Sequence, residues 1–215
     1  MNSKKTLKEM VVDDIFKDIE EGVYKPNDII TENSLVAKYN ISKSPVREAL
    51  VELCKDNVLK SLPRLGYQVV PITLKEVLDI IEFRLDLELS TLRRAFERMT
   101  EESVKELKAI AVMVPEDYMD TITPYWLRNQ EFHIYLCEMS GNEYACKVLK
   151  DTLKQSSRYI SQYFRAAWDK SVESKGKYHV AIAEAMEQRD LKKAEEMLEK
   201  DILAVRNQIQ QIYRI

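Results

Sequence analysis

The run SKSPVREAL at residues 42–50 constrains the fold more than any other part of the chain. One of its two serines can cap a helix, and Pro45 fits the first helical position because its missing N–H costs nothing there. Lys43 and Arg47 then lie at the N-terminal end of the helix and project outward. Open N–H groups, hydroxyls and two cations suit the phosphates and base edges of a DNA major groove. The alternative is an ordinary capped surface helix.

The segments on either side of this run predict a winged helix-turn-helix. Apolar residues recur at helical spacing in roughly residues 3–21, and Thr31 fits the cap of a second helix that leads into the run. After the run, residues 58–62 and 67–70 have the pattern of two short strands. The turn between these strands places Arg64 at the tip of a β-hairpin wing.

Residues 15–70 together resemble the winged helix-turn-helix of GntR-type bacterial transcription regulators. The landmarks are Gly22, Pro26, Ile30, Leu35, Ala37, the run at 42–50, Leu53, Leu59, Pro63, Arg64, Gly66 and Val69. Asn27 and Asn57 stand where this family commonly has glycine. Because asparagine tolerates the left-handed backbone conformation, we expect the fold to keep both turns.

The resemblance implies which side chains contact DNA. The residues concerned are Asn33, Ser42, Lys43, Ser44, Arg47 and Arg64. Lys43 and Arg47 are expected on base edges and phosphates, and Arg64 in the minor groove. Residues 1–72 contain 11 Lys plus Arg and 11 Asp plus Glu, so the segment is neutral overall. Binding therefore requires that the cations be concentrated on one face.

The chain after Thr73 has the pattern of successive helices joined by short turns. We expect them at residues 73–99, 100–114, 123–140, 142–164, 171–188 and 190–213. The change of pattern near residue 72 predicts two domains in a mainly α protein. These are a winged helix-turn-helix DNA-binding domain at 1–72, with a small β-hairpin wing, and an all-α antiparallel helical bundle at 73–215.

Several motifs of the second part occur in the order found in the FCD domain, the effector-binding domain of the FadR branch of the GntR family. They are Glu82-x-Arg84-x-x-Leu87-Glu88, Glu131-Phe132-His133, Ser140-Gly141-Asn142, and His179 followed by Asp190 and Ala194. This resemblance spans roughly residues 73–209. It implies an effector-binding and dimerisation domain, and hence a homodimer that reads a palindromic operator.

Many FCD domains hold a divalent metal with one aspartate and three histidines. The chain has only two histidines, His133 and His179, and both match ligand positions. Asn129 stands in place of the family's aspartate, and Asp201 in place of its last histidine. The resemblance thus implies a metal site made of these four residues, for Zn²⁺, Mn²⁺ or Ni²⁺. The alternative is that both histidines are hydrogen-bonded interior residues.

Arg84 matches a family arginine that points into the cavity and pairs with a carboxylate effector. A guanidinium group is well shaped for a carboxylate. The alternative is an intrahelical partner, Glu88 or Glu82. The resemblance therefore implies a small carboxylate as the effector.

Other features limit the cellular setting of the protein. No apolar run approaches the roughly 20 residues of a membrane span, and no signal peptide is visible. The three cysteines at positions 54, 137 and 146 lie in apolar helical settings, which favours free thiols in a reducing cytosol. These observations predict a cytoplasmic protein without a membrane partner.

The function expected from these features is that of a ligand-responsive transcription regulator and not of an enzyme. A repressor released by its ligand is the commonest arrangement that the resemblance implies. Two alternatives stay open: a metal-free regulator that senses an acyl-thioester or other ligand, and a helical metalloenzyme with a DNA-docking module. Against the enzyme, no Ser or Cys nucleophile is paired with either histidine at a recognisable spacing.

Overall fold

The structure is a computed structural model that describes residues 5–112, 122–164 and 176–213. The described residues form two compact units. The first contains residues up to Ile72 together with Ile160–Gln162, and the second contains Thr73–Tyr159 and the residues from Tyr163 onward.

The first unit is a winged helix-turn-helix. Its helices are α1 (Leu7–Glu20), α2 (Glu32–Tyr39) and α3 (Lys43–Lys55), and its strands are β1 (Ile29–Ile30), β2 (Leu59–Leu62) and β3 (Gly66–Val69). The strands form an antiparallel sheet in the order β1-β3-β2. The expected hairpin is therefore confirmed, and a two-residue strand that the sequence pattern did not predict pairs with its second strand.

Local side-chain chemistry fixes the ends of the first two helices. Thr6 and Glu9 form a capping box at the start of α1, and Thr31 and Ser34 form one at the start of α2. Asn27 and Asn57 have φ angles of 75° and 53°. Both asparagines thus adopt the left-handed conformation expected from their place in the chain.

The start of α3 differs from the expectation in one respect. Ser42 is the N-cap residue, but its side chain makes no capping hydrogen bond, and Pro45 is the third helical residue and not the first. The helix tolerates proline at its third position because none of the first four N–H groups of a helix has a partner inside the helix. Val46, Leu50 and Leu53 are buried and hold α3 in the core of the unit.

The second unit is helical throughout its described part. Its helices are α4 (Leu74–Arg98), α5 (Glu101–Val112), α6 (Ile122–Met139), α7 (Glu143–Tyr159), α8 (Lys177–Glu187) and α9 (Leu191–Tyr213). A π-helical segment (Ile160–Phe164) follows α7, and its first three residues belong to the first unit. A capping box of Thr73 and Glu76 opens α4. The helix expected from residue 171 is described only from Lys177, because residues 171–175 lie outside the described ranges.

Packing among these helices brings distant parts of the chain together. Contacts join α4 with α6, α7 and α9, while α8 packs on α5 and α9. The fold is mainly α with one small sheet, as expected. Within the described residues, no helix has both the length and the apolar character needed to span a membrane.

Candidate functional site

The interior of the second unit contains a cluster of polar side chains. Arg84 and Glu88 come from α4, and Asn129 and His133 from α6; both pairs have the i, i+4 spacing that places two residues on one helix face. Together with His179 of α8, these residues are buried. Asp201 of α9 completes the cluster with a side chain that is 11% exposed.

Three of these residues could hold a metal ion together. One ligand atom from each of His133, His179 and Asp201 lies within 4.8 Å of the others. Asp201 Oδ2 lies 3.1 Å from His133 Nε2 and 3.5 Å from His179 Nε2. The Asn129 amide nitrogen lies 3.3 Å from His179 Nε2. All four residues that the sequence suggested as ligands therefore meet at one place.

The chemistry of the donor atoms fits a divalent ion. Asn129 Oδ1 and His133 Nε2 are buried and have no hydrogen-bond partner among the described residues. The Asp201 oxygen near Nε2 is at ion-pair distance, and it can pair with that nitrogen only when the imidazole is protonated. A buried polar atom without a partner costs about 1–3 kcal/mol. A cation that accepts both lone pairs would remove this cost, since imidazole nitrogen and carbonyl oxygen are both metal ligands.

Glu88 binds His133 on the side of the ring that faces away from Asp201. The sequence analysis did not predict this contact with His133. One carboxylate oxygen lies 2.6 Å from His133 Nδ1, and the other accepts a 2.8 Å hydrogen bond from Arg84 Nε. A carboxylate on Nδ1 holds the proton there and leaves Nε2 facing Asp201. The sequence did contain an indication that Glu88 lies in the site, because Glu88 belongs to the same motif as Arg84.

Charge pairing inside the cluster shifts the acidity of its members. Burial opposes the imidazolium form of His133, but the Glu88 and Asp201 carboxylates outweigh it and raise its pKa to about 9. Burial likewise opposes the charged form of Asp201, yet the two histidines hold the pKa of this carboxyl well below its usual value. The pKa of Glu88 is also lowered, against burial, by Arg84 and His133. Without a metal, therefore, a protonated His133 lies between two carboxylates.

Phe132 orients the second histidine. Its ring stacks on that of His179 with centroids 4.1 Å apart and planes 9° from parallel. The His133 and His179 rings are nearly perpendicular, with centroids 5.2 Å apart. Ring stacking thus helps to hold the imidazole whose Nε2 faces Asn129 and Asp201.

Arg84 is fully buried and only partly satisfied. Its Nε pairs with Glu88, which is the intrahelical alternative considered above, but Nη2 has no partner among the described residues. The Tyr159 hydroxyl on α7 is also buried without a partner there. Burial tends to lower the pKa of Arg84, yet Glu88 and then Tyr159 raise it, so the two side chains are electrostatic neighbours. A guanidinium N–H and a phenol left free in an interior can both bind a carboxylate oxygen.

The candidate DNA contacts lie on the surface of the first unit. Lys43, Ser42 and Asn33 are exposed. Arg47 is 61% exposed and donates from Nε to Glu32 of α2 at 2.8 Å, which leaves the outer edge of its guanidinium group accessible. The Ser44 hydroxyl donates to Glu48 at 3.0 Å and is therefore already engaged.

The sixth candidate, Arg64, lies in the turn between β2 and β3. Its φ angle is 68°, a left-handed conformation that non-glycine residues seldom adopt, and its side chain is exposed. The neighbouring Leu65 is 65% exposed. The tip of the wing thus presents one cation and one apolar side chain outward.

Two family models match the chain. Residues 7–69 match the model described as "Bacterial regulatory proteins, gntR family". Residues 79–204, more than half of the chain, match the model of the FCD domain.

Bacterial transcription regulators are among the proteins to which this chain is similar. The HTH-type transcriptional regulator YdhC of Bacillus subtilis (strain 168) is 30% identical over 138 residues, which is 62% of this chain and 61% of that protein. The chain therefore spans less than two thirds of the length of YdhC. The HTH-type transcriptional repressor GlaR of Escherichia coli (strain K12) is 25% identical over 193 residues, or 86% of this chain and 88% of GlaR.

A solved structure has the same fold over nearly the whole chain. The Escherichia coli protein McbR/YncC superposes with a TM-score of 0.83 at 19% identity, covering 98% of this chain and 100% of that one. At this identity the likeness concerns the fold alone.

Proposed function

Because this chain belongs to the GntR family of bacterial regulatory proteins and carries an FCD domain, we propose that it is a repressor whose DNA binding responds to a small carboxylate. The family consists of transcription regulators and not of enzymes. We propose further that the protein binds a palindromic operator as a cytoplasmic homodimer and holds its effector at a divalent metal. The name of the relative GlaR supports the repressor assignment.

The observation that carries the sensing proposal is the convergence of Asn129, His133, His179 and Asp201 in the interior. These four side chains would hold the metal, and Glu88 would keep His133 in the correct tautomer. When bound, the ion supplies positive charge and open coordination positions for a carboxylate. A metal-free cluster would leave Asn129 Oδ1 without a partner among the described residues, so we prefer the metal-dependent form over a metal-free regulator.

Arg84 supports a carboxylate as the effector. Its Nη2 is buried and free among the described residues, and the Tyr159 hydroxyl is a second free group nearby. Glu88 binds the Arg84 guanidinium group only at Nε. An anionic oxygen of a ligand could accept a hydrogen bond from Nη2 of the same group. Because the Arg84 charge is already buried, its removal from water would add no further cost when the ligand binds, and the charge-assisted hydrogen bond would favour binding.

DNA recognition is assigned to α3 and the wing. Lys43 and Arg47 occupy the exposed N-terminal part of α3, and Glu32 holds Arg47 through Nε, so that its remaining N–H groups can meet a guanine edge or a phosphate. Arg64 would enter the minor groove. A first unit without net charge gains little from non-specific attraction, which favours the use of two half-sites.

An apolar groove between α4 and α7 supports the dimer. Ile80, Phe83 and Val148 line a cavity of about 400 Å³ there, and Phe83 is 47% exposed. An exposed phenylalanine in a groove is typical of a contact between proteins. In a two-fold dimer the same groove of each copy would cover the other.

Native mass spectrometry and operator release test this proposal together. Protein purified without chelator should appear at twice the chain mass with about one divalent ion per chain. An operator duplex selected from random DNA by the protein should then be released by a carboxylic acid from a small panel, and release should be lost after treatment with EDTA. A metal-free protein whose response to the acid is unaffected by EDTA would refute the metal, and failure to select any DNA would refute the operator.

A further inference from the structure

Two cysteines of the second unit lie in direct contact. Cys137 of α6 and Cys146 of α7 are free thiols with their Sγ atoms 3.2 Å apart, and Cys146 donates its S–H to the Cys137 sulfur. Both are buried, at 1% and 7% exposure. The two helices are joined by a turn around Gly141, which keeps this pair together through a short stretch of chain. We propose that Cys137 and Cys146 are a redox pair that hydroperoxides convert to a disulfide.

The surroundings of the two sulfurs differ and assign their roles. Cys146 lines an open surface cavity of about 680 Å³, which gives a small oxidant access to it. Cys137 lies deeper, next to Thr91 of α4, and burial together with Cys146 raises its pKa to about 12. Cys146 is therefore the thiol that meets the oxidant, and Cys137 is the one that resolves the intermediate.

The reaction balances with hydrogen peroxide as the oxidant. The Cys146 thiol gives its proton to water, and its sulfur attacks one peroxide oxygen; the O–O bond breaks and leaves a sulfenic acid and hydroxide, which takes up the proton. The Cys137 sulfur then attacks the Cys146 sulfur, the S–O bond breaks, and the Cys137 proton leaves with the hydroxyl as water. Two thiols lose two electrons, and one peroxide becomes two water molecules.

Little movement is needed to form the bond. A disulfide has sulfurs about 2.05 Å apart, so the two Sγ atoms must approach by roughly 1.2 Å. Rotation of the two side chains can supply much of this distance. Because the thiols are neighbours already, the intramolecular step should outrun further oxidation of Cys146.

The pair is connected to the polar cluster of the same unit. Cys137 follows His133 by one helical turn on α6, and Thr91, which lies beside Cys137, donates its hydroxyl hydrogen to the Glu88 carbonyl. Closing the disulfide would thus pull on the two helices that hold Glu88 and His133. Only this effect on the sensing site rests on the proposed function; disulfide formation itself requires neither metal nor DNA.

Peptide mapping of the full-length protein tests the pair directly. Trypsin should release both cysteines in one peptide, residues 129–147, and Cys54 in residues 48–55. After treatment with hydrogen peroxide and alkylation, we expect the first peptide to be lighter than its reduced form by two hydrogen atoms and to carry no alkyl group. A further digestion after Glu131, Glu138 and Glu143 should leave residues 132–138 and 144–147 joined until a reductant is added.

Cysteine variants distinguish a disulfide between Cys137 and Cys146 from unspecific oxidation of cysteines. In a Cys54→Ser background the number of titratable thiols should fall from two to none, whereas Cys146→Ser should give no cross-linked peptide. Peroxide treatment that leaves Cys137 and Cys146 alkylatable, or that only adds oxygen to Cys146, would overturn the proposal. Mapping of the parent protein gives this answer even if a serine variant fails to fold. A metal titration of the oxidised and reduced forms then tests the connection with the sensing site separately.

Discussion

Replacement of Glu88 by glutamine should destabilise the protein far more than its isosteric shape suggests. The carboxylate is fully buried and satisfies both Arg84 Nε and His133 Nδ1. Glutamine keeps the volume but removes the charge, so Arg84 becomes a buried cation without an anion beside it. Breaking a buried ion pair in this way costs about 3–5 kcal/mol of unfolding free energy. The His133 ring also loses the group that fixes its tautomer, which should weaken metal binding by about 10- to 100-fold.

Urea denaturation and calorimetric titration with Zn²⁺ measure these two effects. Glu82→Gln is the matched control, because Glu82 lies on the same helix but is exposed, and it should change stability by less than about 0.5 kcal/mol. Arg84→Met combined with Glu88→Gln should be less destabilised than the sum of the single variants, since the double variant has no unpaired charge at this position. If Glu88→Gln unfolds at the same urea concentration as Glu82→Gln, the ion pair does not contribute to stability and this reasoning is wrong.

Three further predictions concern DNA, metal and assembly. Arg47→Ala should weaken operator binding by about 1–3 kcal/mol in a gel-shift titration at fixed salt, while Lys55→Ala at the far end of α3 should not; equal affinities would remove Arg47 from the interface. Asp201→Ala should reduce calorimetric metal affinity more than Asn129→Ala, because it removes the only anionic ligand, and Asn129→Asp should increase it. If neither the parent nor Asn129→Asp binds Zn²⁺, Mn²⁺ or Ni²⁺, the two histidines are structural. Phe83→Glu should convert the dimer to a monomer in light scattering, and a dimer of unchanged mass would exclude the groove as the interface.

The features that the sequence revealed best are those determined by neighbours along the chain. Capping boxes such as Thr73 with Glu76 announce a helix start within four residues, and the i, i+4 spacing of Asn129 and His133 determines that they share a face. The resemblance, and not this spacing, pointed to all four proposed ligands, including His179 and Asp201 on two other helices. Their distances from α6 depend on how four helices pack, which no local pattern contains.

Other features needed the structure because they arise from tertiary contacts. The strand Ile29–Ile30 is only two residues long and exists through its pairing with β3, so no alternating pattern could indicate it. The contact between Cys137 and Cys146 depends on the mutual rotation of α6 and α7. Pro45 was placed wrongly because the whole first turn of a helix tolerates a missing N–H, and the sequence does not distinguish its first and third positions.

Asn129 and Asp201 are the two members of the proposed ligand set that differ from the set implied by the resemblance, and together they determine where its negative charge lies. The common ligand set of one aspartate and three histidines contains one carboxylate, and so does the set in this chain. In the proposed set the single negative charge lies on α9, whereas in the set that the resemblance implies it would lie on α6. Asn129→Asp combined with Asp201→His would return it at constant total charge. If the parent and this double variant preferred different effectors, the difference would arise from the position of the negative charge and not from its amount.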